Sequence, residues 1–241
     1  LSTVRYNVSA LSAENTENIL NSTITTIGQN AFEYADSITN ITLPSDITTI
    51  GEYAFNHAES LETVKFTNTS VGNNKLAELA EGSFANCYSL ENIYALKDGT
   101  MSNNTIPQSV NTVAASVFFN NVSLNSITIP NTVTSMGAGV FAGCSTIGSI
   151  TLPFIGEERY CSESQEETFG YIFGTSTDNF KASESLFKET IQGNTKYYIP
   201  TSLKTVVITD DTGIIANGFA NCDSITKIIL PTGYHDGGRL Y

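Results

Sequence analysis

The 241 residues carry 24 acidic against 11 basic side chains, for a net charge of −13, with 15% of positions charged and 40% hydrophobic. A nucleic acid or an anionic membrane is held by a cationic surface that displaces counterions, so this acid excess argues against both as partners. No apolar run approaches the roughly 20 residues of a bilayer span, and the polar remainder is mostly Ser, Thr and Asn, as in secreted β-rich proteins.

Leu1 opens the chain without a methionine or a charged-then-apolar leader, which fits either a removed leader or a trimmed terminus. Residues 1–26 read as an N-terminal cap or flank. From there the chain repeats a phrase: Ile27-Gly28-x-x-Ala31-Phe32 returns as Ile50-Gly51-x-x-Ala54-Phe55. Extended, the register is Φ-G-x-x-A-F-x-x-(A/C)-x-x-L-x-x-I-x-L-P, with Φ aliphatic. It fits at Phe32, Phe55, Phe84, Phe118, Phe141 and Phe219, with a degenerate copy at Phe173. The spacing predicts a β-rich repeat solenoid of the leucine-rich-repeat kind over 27–231, about seven coils of ~23 residues, followed by a tail, 232–241.

In each coil, I-x-L is a short strand whose alternate residues point inward. The following Pro ends the ladder because it has no N–H to donate. The Gly of Φ-G is read as permitting a sharp turn, and the Phe fills the far side of a core that no single coil closes. The strands 40–43, 63–66, 91–94, 126–129, 149–152, 205–208 and 227–230 are expected to form one parallel concave sheet in that order. Ala80, Ala114 and Ile215 replace the Gly, and Ala95 weakens the third strand.

Three insertions, 67–78, 95–112 and 154–167, fall between a strand and the next Φ-G and are expected to emerge along one edge. A fourth, 174–202, lies between Phe173 and the next strand and leaves from the opposite edge or the convex side. Inserted loops on a repeat scaffold commonly carry function. The stretch 154–199 concentrates Tyr160, Phe169, Tyr171, Phe173, Phe180, Phe187, Tyr197 and Tyr198 beside several acids. These aromatics suit a protein or glycan contact, or else form a satellite core.

The outward strand positions supply the other candidate surface. They are Asn40, Thr42, Thr63, Lys65, Asn92, Tyr94, Ser126, Thr128, Ser149, Thr151, Thr205, Val207, Lys227 and Ile229, hydroxyl-rich and nearly uncharged. The candidate partner-binding residues are therefore Asn40, Thr42, Lys65, Tyr94, Thr128, Thr151 and Thr205 on the sheet, with Tyr160, Tyr197 and Tyr198 from the insertion.

No catalytic constellation is spelled. The two histidines, His57 on a turn and His235 in the tail, lack the carboxylate and nucleophile of a triad. No C-x-x-C or H-x-x-x-H supplies zinc ligands, and no calcium loop frames Glu157-Glu158, Glu166-Glu167 or Asp210-Asp211. No cofactor is implied. Cys87, Cys144 and Cys222 share one repeat position with Ala35, Ala58 and Asn121, which marks a small buried site, whereas Cys161 lies in an insertion.

Over Ile27 to Pro231 the phrase resembles the BspA-like leucine-rich-repeat family of cell-surface proteins. That resemblance implies an extracellular or cell-surface domain that adheres to host proteins, matrix or other cells. The residues themselves support a non-catalytic binding scaffold. A glycan-binding or glycan-processing domain built on 154–202, or a structural spacer stalk, are the other readings.

Overall fold

The computed structural model describes residues 18–67, 76–97, 99–159, 168–210 and 217–231. The strands, in chain order, are β1 (Asn18–Ile19), β2 (Thr26–Ile27), β3 (Asn40–Leu43), β4 (Thr49–Ile50), β5 (Thr63–Phe66), β6 (Glu78–Leu79), β7 (Asn92–Lys97) and β8 (Thr100–Ser102). They continue as β9 (Thr112–Val113), β10 (Ser126–Thr128), β11 (Ser135–Met136), β12 (Ser149–Leu152), β13 (Phe187–Gln192), β14 (Thr195–Pro200), β15 (Thr205–Ile208) and β16 (Lys227–Ile229).

Three ladders run along the molecule. The concave ladder is parallel, β1-β3-β5-β7 in one half and β10-β12-β15-β16 in the other. A second ladder joins the Φ-G pairs, β2 with β4 and then β6-β9-β11. The third runs through the Phe turns, where Phe32 N–H donates to Ala54 O, Phe55 to Ser83, Phe84 to Val117, Phe118 to Val140 and Phe141 to Ile172. Inside, the rings stack nearly parallel: Phe32–Phe55 at 5.0 Å, Phe55–Phe84 at 5.1 Å and Phe118–Phe141 at 5.7 Å between centroids. With the inward strand residues they form one contiguous core.

The concave sheet is split in two, where the repeat spacing predicted one. After Tyr94, β7 runs on into a hairpin, pairing antiparallel with β8. The chain then reverses at Asn104, whose φ is 49°, and Thr105 is laid down as an extra rung. Thr105 N–H donates to Ile93 O, and Thr105 bridges Thr128 in parallel on its other side. The Asn104 carboxamide stands in for missing backbone here: its Oδ1 accepts from Ile93 N–H, and its Nδ2 reaches Ser126 Oγ at 3.2 Å. Residues 95–112 therefore do not leave the solenoid as a plain loop. Ile106-Pro107 completes the interrupted strand, and Val110 N–H donates to Pro107 O as Ile47 does to Pro44 and Val133 to Pro130.

This extra rung has no counterpart among the Phe turns, and the Phe84–Phe118 spacing widens to 6.1 Å. A wholly apolar packing fault, too small for a water molecule, lies beneath it between Phe66, Leu79, Phe84, Ile106 and Phe118.

The turns depend on left-handed backbone at two fixed places. Two residues before the Phe stand Asn30, Tyr53, Gly82, Ser116, Gly139 and Asn217, and two after it stand Tyr34, His57, Asn86, Asn120, Gly143 and Asn221; all have φ between 54° and 78°. The Gly of Φ-G has a different role from the one its sequence suggests. A Cβ on Gly51 would lie 2.5 Å from Gln29 N, and one on Gly137 only 2.2 Å from Ala115 N, so Gly there lets successive coils touch backbone to backbone.

The sixth coil is replaced by a 3-10 turn, Phe169–Phe173. Its two ends serve two neighbours, Phe173 packing 6.4 Å from Phe141 and Phe169 4.8 Å from Phe219. Gln192, at the end of β13, ties the turn in: it accepts from Gly170 N–H and donates to Gly218 O and Ala220 O. In the 154–167 insertion, Phe154 and Ile155 join the core. Arg159 is buried, donating to Asp210, Asn131 O and Val133 O, with its guanidinium 5.8 Å from the Phe154 ring centroid.

The column three residues after each Phe explains the cysteines. Cys87 Sγ donates to Phe55 O at 3.2 Å, and Cys144 Sγ to Phe118 O at 3.0 Å, each across to the preceding coil. Both are free and buried, and Cys222 is free; Cys161 lies outside the described residues. Burial pushes the Cys144 and Cys222 thiols up to about 12, and Cys87 higher still. Titration of the native domain should therefore be slow, while denaturation should release at least these three thiols, as a disulfide-exchange assay would report. Because the unfolded thiols ionise near pH ~8.5 and the folded ones do not, their contribution holds below that pH and is lost as pH rises towards 12. A Cys87–Cys144 disulfide in a mass-spectrometric map would contradict this arrangement.

Asn121 occupies the same column, fully buried, and neither amide atom has a hydrogen-bond partner among the described residues. An unsatisfied buried amide is costly, so Asn121→Ala should stabilise the domain by about 1–2 kcal/mol in urea melts. A loss of stability would mean that the amide is satisfied.

Candidate functional site

The strand register brings the outward residues into rows across the concave face. Thr42, Lys65 and Tyr94 are direct neighbours, as are Thr128, Thr151, Val207 and Ile229. A second row holds Asn40, Thr63 and Asn92 in one half and Ser126, Ser149, Thr205 and Lys227 in the other. Neighbours within a row stand about 4.8 Å apart. Asn40, Lys65, Tyr94, Thr128, Thr151 and Thr205 are each half-buried, their side chains rising from a sheet whose inner face is core.

Two of the ten candidates are corrected by their burial. Thr42 is only 6% exposed, between Ile19 and Lys65 in the register, so it offers no surface to a partner. Tyr197 is 3% exposed; its ring lies so close over Gly170 that a Cβ there would come within 2.4 Å of it. It is a core residue that seats the hairpin on the 3-10 turn. Tyr198, on the alternate face of β14, is half-buried, and among the described residues β13 and β14 pair with each other and with no concave strand. The insertion's tyrosines therefore do not extend the concave rows. Tyr160 lies outside the described residues. Phe180 and Phe187 form a small cluster with Phe119, at 4.6 and 6.1 Å, the satellite core that was one of the two readings.

The face is a hydrogen-bonding surface, with Lys65 and Lys227 the charged members of its rows. The clearly shifted titratable groups stand elsewhere. Tyr53 is pushed up to about 12 by its hydrogen bond to Glu81 and then by burial; the Cys87 and Cys144 thiols lie in the core and Cys222 is packed against it; Lys196 is raised by its bond to Glu189 on the hairpin. Catalytic sites gather such groups in a cleft. Among the described residues no three His, Cys, Asp or Glu side chains converge in a way that would hold a metal, and no helix is long and apolar enough to cross a membrane.

One cluster was not foreseen. Tyr34 and His57 stack at 4.9 Å on the Phe turns, and His57 meets Tyr88 edge-on at 6.1 Å. The signal was present: Tyr34-Ala35-Asp36 and His57-Ala58-Glu59 repeat one aromatic-Ala-acid spelling in successive coils.

The family model for the BspA-type leucine-rich-repeat region, six copies, matches residues 9–100 and 94–226. The chain belongs to the BspA-type leucine-rich-repeat family. A search of curated protein sequences gave no significant match. Among solved structures, this BspA-type chain is similar to the T. pallidum leucine-rich-repeat protein, at 18% identity and a TM-score of 0.50, covering 92% of this chain and 72% of that one. The pneumococcal vaccine antigen PcpA is 16% identical with a TM-score of 0.44, over 79% of this chain and 41% of its own. A leucine-rich-repeat protein from Bacteroides ovatus is 18% identical with a TM-score of 0.38, over 92% and 64%. At 18% identity the likeness to the T. pallidum protein concerns the fold. Leucine-rich-repeat domains of this kind are in general scaffolds for protein interaction.

Proposed function

We propose that this domain is a non-catalytic, secreted or cell-surface module that binds a protein partner, of host, matrix or another cell surface, through its concave face. The observation that carries the reading is the pair of rows Lys65–Tyr94 and Thr128–Thr151, polar side chains held in register on a hydrogen-bonded sheet. Such a surface can hydrogen-bond a partner over a wide area without reorganising. The Ser-, Thr- and Asn-rich composition supports placement outside the cell.

The test is capture of matrix proteins and mucins by the intact domain and by Tyr94→Ala, Thr128→Arg and Thr151→Arg. Deleting 154–202 is unsuitable, because Phe169, Phe173 and Tyr197 belong to the core. Arg at Thr128 or Thr151 should abolish capture while leaving the melt unchanged. Equal capture by all three variants would refute the concave face as the binding surface.

A further inference from the structure

The ridge of rings on the Phe turns stands apart from the concave face. Tyr34 stacks on His57 with planes 15° apart, and His57 meets the edge of Tyr88. Glu59 Oε1 lies 3.3 Å from His57 Nδ1. Burial, and then the charges of Glu59 and Tyr34, raise the Tyr88 phenol above its ordinary range, so the three phenolic and carboxylate groups share one locality.

One end of this ridge already holds a cation. Lys181 Nζ sits 4.3 Å from the centroid of the Tyr88 ring. Its loop is docked by Asn120, whose Oδ1 accepts from Lys181 N–H and whose Nδ2 donates to Asn179 O. At the other end Tyr34 is 64% exposed, more than any other large hydrophobic side chain among the described residues.

Tyr34 and His57 both hold left-handed backbone, φ 58° and 56°, where the equivalent turns use Asn86, Asn120 and Asn221. Asn is at ease in that conformation and His is tolerated there, whereas Tyr is not. The Tyr34 ring is kept against the preference of the turn.

The coils that carry them are acid-rich in sequence. Between residues 18 and 96 the sequence has nine carboxylates and only two lysines, Lys65 and Lys75, and Lys65 belongs to the concave rows. Glu33 and Asp36 flank Tyr34. The amides beside the ridge are already engaged, Asn56 with Glu33, Asn86 with Asn56 and Asn120 with Asn86. Glu33 is held by Asn30 and Asn56, so the rings and the carboxylates of Asp36 and Glu59, not amides, are what the ridge presents.

We propose that the Tyr34 end of this ridge docks an arginine-bearing segment of a partner protein, its guanidinium stacking on the outer face of Tyr34 as the Lys181 ammonium does on Tyr88. A planar, weakly hydrated guanidinium suits an aromatic face flanked by carboxylates better than a sugar or an acidic peptide does. The site is independent of the concave reading.

The test is fluorescence anisotropy of labelled nona-arginine, and of nona-citrulline as its neutral counterpart, with the intact domain at near-physiological salt. Tyr34→Asn removes the ring and suits the backbone, so its thermal melt should match or exceed the parent while its affinity for nona-arginine falls about five-fold. Tyr34→Phe should bind as the parent does, and so should the concave variant Tyr94→Ala. Unchanged affinity in Tyr34→Asn would overturn the proposal by reducing the binding to general charge attraction. Equal binding of nona-citrulline, or displacement of the peptide by a neutral oligosaccharide, would overturn it too.

Discussion

Phe141→Ala is expected to cost roughly 3–5 kcal/mol in a urea or guanidinium melt, the range for truncating a fully buried Phe. The ring has no exposure and touches rings of two other coils, Phe118 at 5.7 Å and Phe173 at 6.4 Å. The surroundings are held by three hydrogen-bonded ladders and have little freedom to collapse into the space. Phe118→Ala should behave alike. Thr128→Ala, on the concave face one strand away from Thr151, should change stability by less than about 0.5 kcal/mol. Equal losses at the two kinds of position would reverse the assignment of inside and outside.

Gly137→Ala should cost about 3 kcal/mol, the upper end for overpacking. The added methyl would stand 2.2 Å from Ala115 N and 2.6 Å from Ala114 C, both backbone atoms of the preceding coil. Backbone cannot rotate aside as a side chain does, so relief requires prying two coils apart along the ladder in which Gly137 N–H donates to Val113 O. Gly99→Ala is the control. Its φ is 79° with no atom of the described residues within 4 Å of a new Cβ, so it should lose only about 1–2 kcal/mol for the left-handed backbone. If the ranking of the two substitutions were inverted, the coils would not be in the contact described.

The contrast bears on how much of the molecule its sequence reveals. The Phe register, the I-x-L strands and the Pro stops were legible because each is dictated by one coil and repeated by the next. The reason for the Gly was not, because the clash it avoids is with a different coil. The extra rung at Thr105 was missed for a similar reason. Its signal, Ile106-Pro107 at the right distance before Val110 and Val113, is present, but the strand it completes begins at Asn92 on the far side of a hairpin. Tyr197 and Tyr198 look alike in sequence; only the packing of one face of β14 on the 3-10 turn, with Tyr197 over Gly170, decides that one is core and the other half-exposed. On the concave face the alternation identified Lys65, Tyr94, Thr128, Thr151 and Thr205 as outward, while the burial of Thr42 is a property of its neighbours.

The Thr105 rung also changes the shape that a partner meets. In an arch, each block is narrower on its inner side, and the inner arc is the shorter. Here one block is inverted: the inner side gains a full course, about 4.8 Å, while the Phe side between Phe84 and Phe118 opens only to 6.1 Å. The arch is expected to straighten at that point, leaving two troughs of different inclination separated by the β7–β8 hairpin. A partner that spans both must itself be hinged or kinked, and one that is straight can seat in only one of them.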